Sequence, residues 1–326
     1  MKKHLRYAWI GVSAMLVLAG YYAVAVGSAG GIQPVAPKEA ADLLAAVRLG
    51  CDTATASVST SAGVVTVHEW HWRDNGQVLE TETTYTVASK GERFKAAVET
   101  KYLTNEWSSY NTPGTIQKTV LGYDGETVTR YGPARSYAEI SGIDSQIGRE
   151  LRNVKLMAVS PGIGVPRFEG MPPTSDNPNP GPYVLGRQTL NGEDCVVVES
   201  SYSTPTEKGT QTMYVRFWLA LQKGFSVVKS EGEARGGMFP EKGVLVDQGE
   251  AQLREYAGGL WGVSQVQQEA YMVDSSGRLY LKTRTITSFP KDYAINRSVT
   301  DEMLAVTLPS GTKVHNELID TEYTVP

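Results

Sequence analysis

The sequence predicts a mainly β (α+β) protein: one extended antiparallel sheet with a single N-terminal helix and few others. Three observations predict it. Apolar residues alternate with polar ones over most of the chain after Thr53, turn dipeptides punctuate those runs, and a single well-marked helical stretch precedes them. The hydrophobic share of 41% and charged share of 20% supply an ordinary globular core. A sheet of this size curls into a sandwich, a barrel or a half-barrel.

The chain begins with Lys2, Lys3 and Arg6, followed by residues 8–26, which carry no charge. A basic flank before an apolar run is what export machinery reads. Residues 1–29 are therefore expected to be a signal peptide or an N-terminal membrane anchor. Small residues at Ala25, Gly27 and Ala29 suit cleavage, whereas the 19-residue run approaches the length of a bilayer span and favours an anchor. Either fate puts the body outside the cytoplasm, in the periplasm or at the cell surface. Residues 30–37 form a linker, and residues 38–326 the folded domain. The net charge is −4, and −7 without the three leader cations, so the body lacks the basic stripe that nucleic acid requires.

After Pro37, the residues Ala40, Leu43, Leu44, Val47 and Leu49 recur at helical spacing, with Gly50 as the expected stop. Strands are predicted over Val64–Arg73, Val78–Ala88, Arg93–Tyr102, Ile116–Tyr123 and Thr127–Tyr131, with turns at 74–76 and at Asp124-Gly125. In the first of these, Val65 and Val67 should face one side and His68, Trp70 and Trp72 the other. Residues 148–159 are expected to form a short helix. Residues 161–182 hold seven prolines and cannot pair inside a sheet; they link two halves or cross an open edge. Strands resume over Tyr183–Leu190, Asp194–Ser201, Met213–Ala220, Ser226–Ala234, Gln248–Tyr256, Trp261–Val273, Leu279–Phe289 and Met303–Pro309.

No motif for catalysis emerges. His68 and His71 are three apart on a predicted strand, so their rings should point to opposite faces, unlike a zinc-protease pair on a helix. Gly262-Val263-Ser264-Gln265-Val266 lacks the second glycine of a nucleophile elbow. Gly162-Ile163-Gly164 lies in the proline-rich stretch and is no dinucleotide fingerprint. No metal, cofactor or enzymatic activity is expected. Cys51 and Cys195 could form one disulfide, with two buried free thiols as the simpler expectation.

Four segments in the C-terminal half carry a family resemblance: LGRQTLNGEDCVVVES (185–200), YVRFWLALQKGFSVVKSE (214–231), REYAGGLWGVSQVQQEAY (254–271) and INRSVTDEMLAVTLPSGTKVHNE (295–317). Their order resembles the LolA/LolB-like superfamily of outer-membrane lipoprotein-sorting-like proteins. Trp218 before Lys223-Gly224-Phe225 looks like its tryptophan strand and turn, Gly258 to Trp261 like its glycine turn, and Asn296 to Gly311 like its closing strand. The resemblance implies an unclosed β-barrel, or half-barrel, whose concave face is covered by helices around an apolar cavity able to take acyl chains. It implies non-catalytic binding of a lipid or lipidated protein, or, alternatively, a sensor module that contacts another envelope protein. The residues expected to line the cavity are Leu43, Leu44, Val47, Trp70, Trp72, Trp218, Phe225 and Trp261, with ordinary core packing as the competing expectation for each aromatic.

Overall fold

A computed structural model describes residues 31–73, 76–104, 112–159, 181–274 and 276–326. The N-terminal segment 1–29, the turn at 74–75 and nearly all of the proline-rich stretch lie outside the described residues. Helix α1 spans Pro37–Ala56. Proline at its first position costs nothing, because that N–H has no intrahelical partner. The helix does not stop at Gly50; it runs six residues further, to Ala56. Gly50 serves close approach instead, since a Cβ there would lie 2.3 Å from the Phe225 ring. Leu43, Val47 and Cys51 form its buried stripe at a spacing of four, whereas Leu49 is exposed.

The first meander comprises β1 (Thr60–Trp72), β2 (Val78–Lys90), β3 (Arg93–Tyr102), β4 (Ile116–Tyr123), β5 (Val128–Gly132) and β6 (Tyr137–Ser141). Helix α2 (Gln146–Val159) follows. The second meander is β7 (Tyr183–Leu190), β8 (Glu193–Thr206), β9 (Gly209–Ala220), β10 (Ser226–Gly236), β11 (Val244–Tyr256), β12 (Leu260–Val273) and β13 (Leu279–Ser288). The chain ends with β14 (Ala294–Ile295), α3 (Asp301–Leu304), β15 (Lys313–Asn316) and β16 (Thr321–Thr324). Met303–Pro309 is therefore not a strand. Acidic Asp301 and Glu302 favour a helical first turn there, and the residues after Leu304 up to Pro309 are irregular.

Turns close where polar side chains satisfy the backbone. Asp124 accepts hydrogen bonds from the N–H groups of Glu126 and Thr127, and Asp274 from those of Ser276 and Arg278. All strands join one sheet, in the order β16-β15-β6-β5-β4-β3-β2-β1-β13-β12-β11-β10-β9-β8-β7, with β14 beside β1. Every pairing is antiparallel except β15 on β6. The two meanders meet at β1 and β13, and β16 and β7 remain as separate edges, so the sheet is unclosed. Bulges in the second meander bend its strands locally.

Both long helices cover the same face. Strand register carries Val67 to Thr287, Val266 and Ala251; two residues along β11, Gly249 opposes Ser230, which opposes Phe217. Val65, on the same face as Val67, packs with Ile147 and Leu151 of α2, and Phe217 packs with Leu43 and Val47 of α1. This is the inner face. The core beneath α2 gathers Phe94, Leu121, Val128, Val263, Phe289 and Tyr293, and reaches Ala54 at the end of α1. As expected, Val65 and Val67 are buried, and the alternation of β1 sends His68, Trp70 and Trp72 to the outer face.

Candidate ligand-binding site

The residues expected to share one cavity separate into different places. Leu43, Leu44, Val47 and Phe225 do come together, in a cluster with Val196, Val198, Phe217, Leu219 and Val227. Here the inner face of β8 and β9 forms an apolar trough, and α1 fills it: Val47, Val196, Val198 and Leu219 are all fully buried. Trp218 is on the opposite side of β9, packed with Cys195 and Val197, and its indole N–H donates to Gln188 Oε1 at 2.7 Å. Strand alternation is the reason, because Phe217 and Leu219 already face α1. Trp70 is on the outer face and stacks on His68 with ring centroids 3.9 Å apart. Trp72 lines a cleft of about 240 Å³ with Arg73, Asp274, Tyr280 and Leu281, away from α1. Trp261 lies under the Lys223 ammonium, 4.4 Å from its ring centre, outside the α1 cluster.

Cys51 and Cys195 are both buried and are not bonded to each other. Cys51 packs in the α1 cluster on the inner face and Cys195 beside Trp218 on the outer, so the sheet itself separates them and no disulfide forms. Burial pushes the Cys195 thiol up to about 12, which makes it a poor nucleophile. Among the described residues no group of three or more His, Cys, Asp or Glu side chains is placed to hold a metal ion. His68 pairs with Glu80 and His71 with Glu69, on opposite faces of β1.

The outer face is a laced polar surface. Arg216 bonds Glu199 at 2.6 Å and Glu233 at 3.3 Å, and Arg284 meets the Glu269 carboxylate, which Tyr271 also bonds. Cross-strand partners of opposite charge satisfy one another there and leave little unmet capacity.

The inner face differs beside the trough. On β10 and β11, Ser230 opposes Gly249 and Gly232 opposes Asp247, so two polar residues occupy one diagonal of a square and two glycines the other. Phe217 and Val215 border the square on β9, and Gln268 and Ala270 on β12. Asp247 is 5% exposed and Ser230 1%. Among the described residues the Ser230 hydroxyl has no hydrogen-bond partner, and Gln268 Nε2 donates to Asp247 over a long 3.4 Å. Burial pushes the Asp247 carboxyl up to about 8, partly offset by Gln268. Sequence reading missed this notch. Its signal was present, because glycines inside two adjacent strands mark a close approach of backbone or ligand.

A raised carboxyl is protonated in the folded chain while it is ionised in the unfolded one. Its stabilisation is complete below the ordinary carboxylate pKa of 3.8 and is lost as pH rises towards 8. The melting temperature should therefore fall between pH 5 and about 8, and Asp247→Asn should flatten that decline. Parallel decline in both proteins, followed by calorimetry, would count against a protonated Asp247.

No family model and no curated protein matches the chain. It is similar to several solved structures. A DUF1329 family protein from Desulfovibrio piger matches at 14% identity and a TM-score of 0.37, over 79% of this chain and 97% of that one. A LolA superfamily protein from Nitrosomonas europaea matches at 14% and 0.34, over 80% and 97%. An outer membrane lipoprotein-sorting protein domain from Vibrio parahaemolyticus matches at 11% and 0.36, over 81% and 95%. The superfamily resembled by the C-terminal half thus recurs among these structures.

Proposed function

We propose that this is an extracytoplasmic, non-catalytic binding protein that takes the acyl chain of a lipid or lipidated protein into the trough beneath α1. One observation carries the reading. The trough floor of Val196, Val198, Phe217, Leu219 and Val227 is continuously apolar, yet its cover is a helix with only three buried side chains. Such a helix is a displaceable lid. Opening it would expose a strip suited to hydrocarbon, with burial worth roughly 25 cal/mol per Å². The closed form fills its own site, which accounts for α1 lying on packed side chains.

The charge-free residues 8–26 support export and a tether to the cytoplasmic membrane. They lie outside the described residues, among which no helix is long and apolar enough to cross a membrane. A tethered lid protein would handle its ligand at the membrane surface. The alternative, a sensor or interaction module, has its own support: Leu318, Ile319 and Tyr323 are exposed at the β15–β16 hairpin, on a free sheet edge. Native mass spectrometry of the chain extracted in mild detergent separates the two. The binding reading predicts co-purified lipid; its repeated absence, with a protein partner retained, would favour the interaction module.

A further inference from the structure

We infer that the notch of Ser230, Asp247 and Gln268 receives the polar head of the acyl ligand, and that the head it accepts is an uncharged hydrogen-bond donor, of the glycerol hydroxyl kind, rather than a carboxylate or phosphate. This rests on the acyl-chain reading above and adds a head-group specificity to it.

Position is the first support. Phe217 and Val215 pack in the α1 cluster and are also the β9 partners of Ser230 and Gly232. Trough and notch therefore share a border, and an amphiphile lying in the trough would bring its head to the notch. Shape is the second support. With glycine opposite each polar residue, no side chain stands between Ser230 and Asp247 across the strand pair. A Cβ at Gly232 would come within 3.0 Å of Asp247 Cβ, so the placement of the Asp247 side chain depends on the glycine.

Unmet bonding is the third support. An unpaired buried hydroxyl costs about 1–3 kcal/mol, and such groups are rare in folded proteins unless something else meets them. Among the described residues Ser230 Oγ is such a group, and Asp247 has a single long contact, from Gln268. Charge selects the ligand. Strand alternation sends Arg216, Lys229, Glu231 and Glu269 to the outer face, so no cation borders the notch on β9 to β12. An anionic head would be buried there with no cation beside it on these strands, which is costly, whereas an uncharged hydroxyl can donate to the Asp247 carboxyl and accept from Ser230. The raised carboxyl fits this, since a neutral acid offers both a donor and an acceptor.

The test is equilibrium binding of 1-monooleoylglycerol and of oleate to the full chain at pH 7. Monooleoylglycerol should bind about tenfold more tightly. Ser230→Ala should weaken it about fivefold, as expected for one lost hydrogen bond, and leave oleate unchanged. Asp247→Asn, which keeps the shape and an uncharged donor and acceptor, should leave that preference in place at pH 7, where the native carboxyl is itself protonated. Equal binding of both ligands, preference for oleate, or indifference of monooleoylglycerol to Ser230→Ala would overturn the head-group assignment while leaving the acyl-chain reading intact. Binding of neither would remove both.

Discussion

Leu43→Ala should bind an acyl chain about tenfold more tightly than the unsubstituted protein while melting at a lower temperature. Leu43 is one of three side chains that hold α1 in the trough, and it is 9% exposed. Truncating a buried leucine costs about 2–5 kcal/mol. If even about 1.4 kcal/mol of that falls on the closed lid alone, the open fraction rises tenfold, and apparent affinity rises with it. A side chain that merely supported the fold, or that gripped the ligand, would show the opposite: unchanged or weaker binding. Fluorescent fatty-acid titration beside a thermal melt distinguishes the cases. Weaker binding by Leu43→Ala would contradict α1 as a lid.

Phe94→Ala should destabilise the whole chain by about 3–5 kcal/mol. Phe94 is fully buried where β3 meets β4, in the cluster that fastens α2 to the sheet. The loss should act on both halves at once, because β1 and β13 pair over Thr66–His71 and a single core runs from Leu121 to Tyr256. Urea unfolding followed by tryptophan fluorescence, which reports from both meanders, should shift as one transition. A separate early transition confined to one half would show that the joined sheet behaves as two units.

Much of the fold was legible because its signals are local. Alternation in Val64–Arg73 gave β1 and its faces, and Asp124 and Asp274 marked their turns through side-chain bonds to nearby N–H groups. The helix after Pro37 was visible in its four-residue stripe. Its end was misread because the role of Gly50 depends on Phe225, a partner far along the chain. The meeting of β1 with β13 is a long-range pairing that no local pattern encodes. The candidate site was harder to read for the same reason. Periodicity shows that Trp218 and Phe217 point to opposite sides, but not which side α1 covers. Thus the tryptophans, conspicuous in the sequence, lie away from the trough, and the less conspicuous Val196, Val198 and Leu219 form it. Cys51 and Cys195 were open to pairing until the sheet was found between them.

Hydrogen exchange along α1, with and without 1-monooleoylglycerol, tests the central claim most directly. The account predicts that the amides of residues 40–54 lose protection when the lipid binds, while those of β8 and β9 gain it. Protection of α1 that stays constant or increases at saturating lipid, with the change located elsewhere on the sheet, would contradict a lid over an acyl-binding trough.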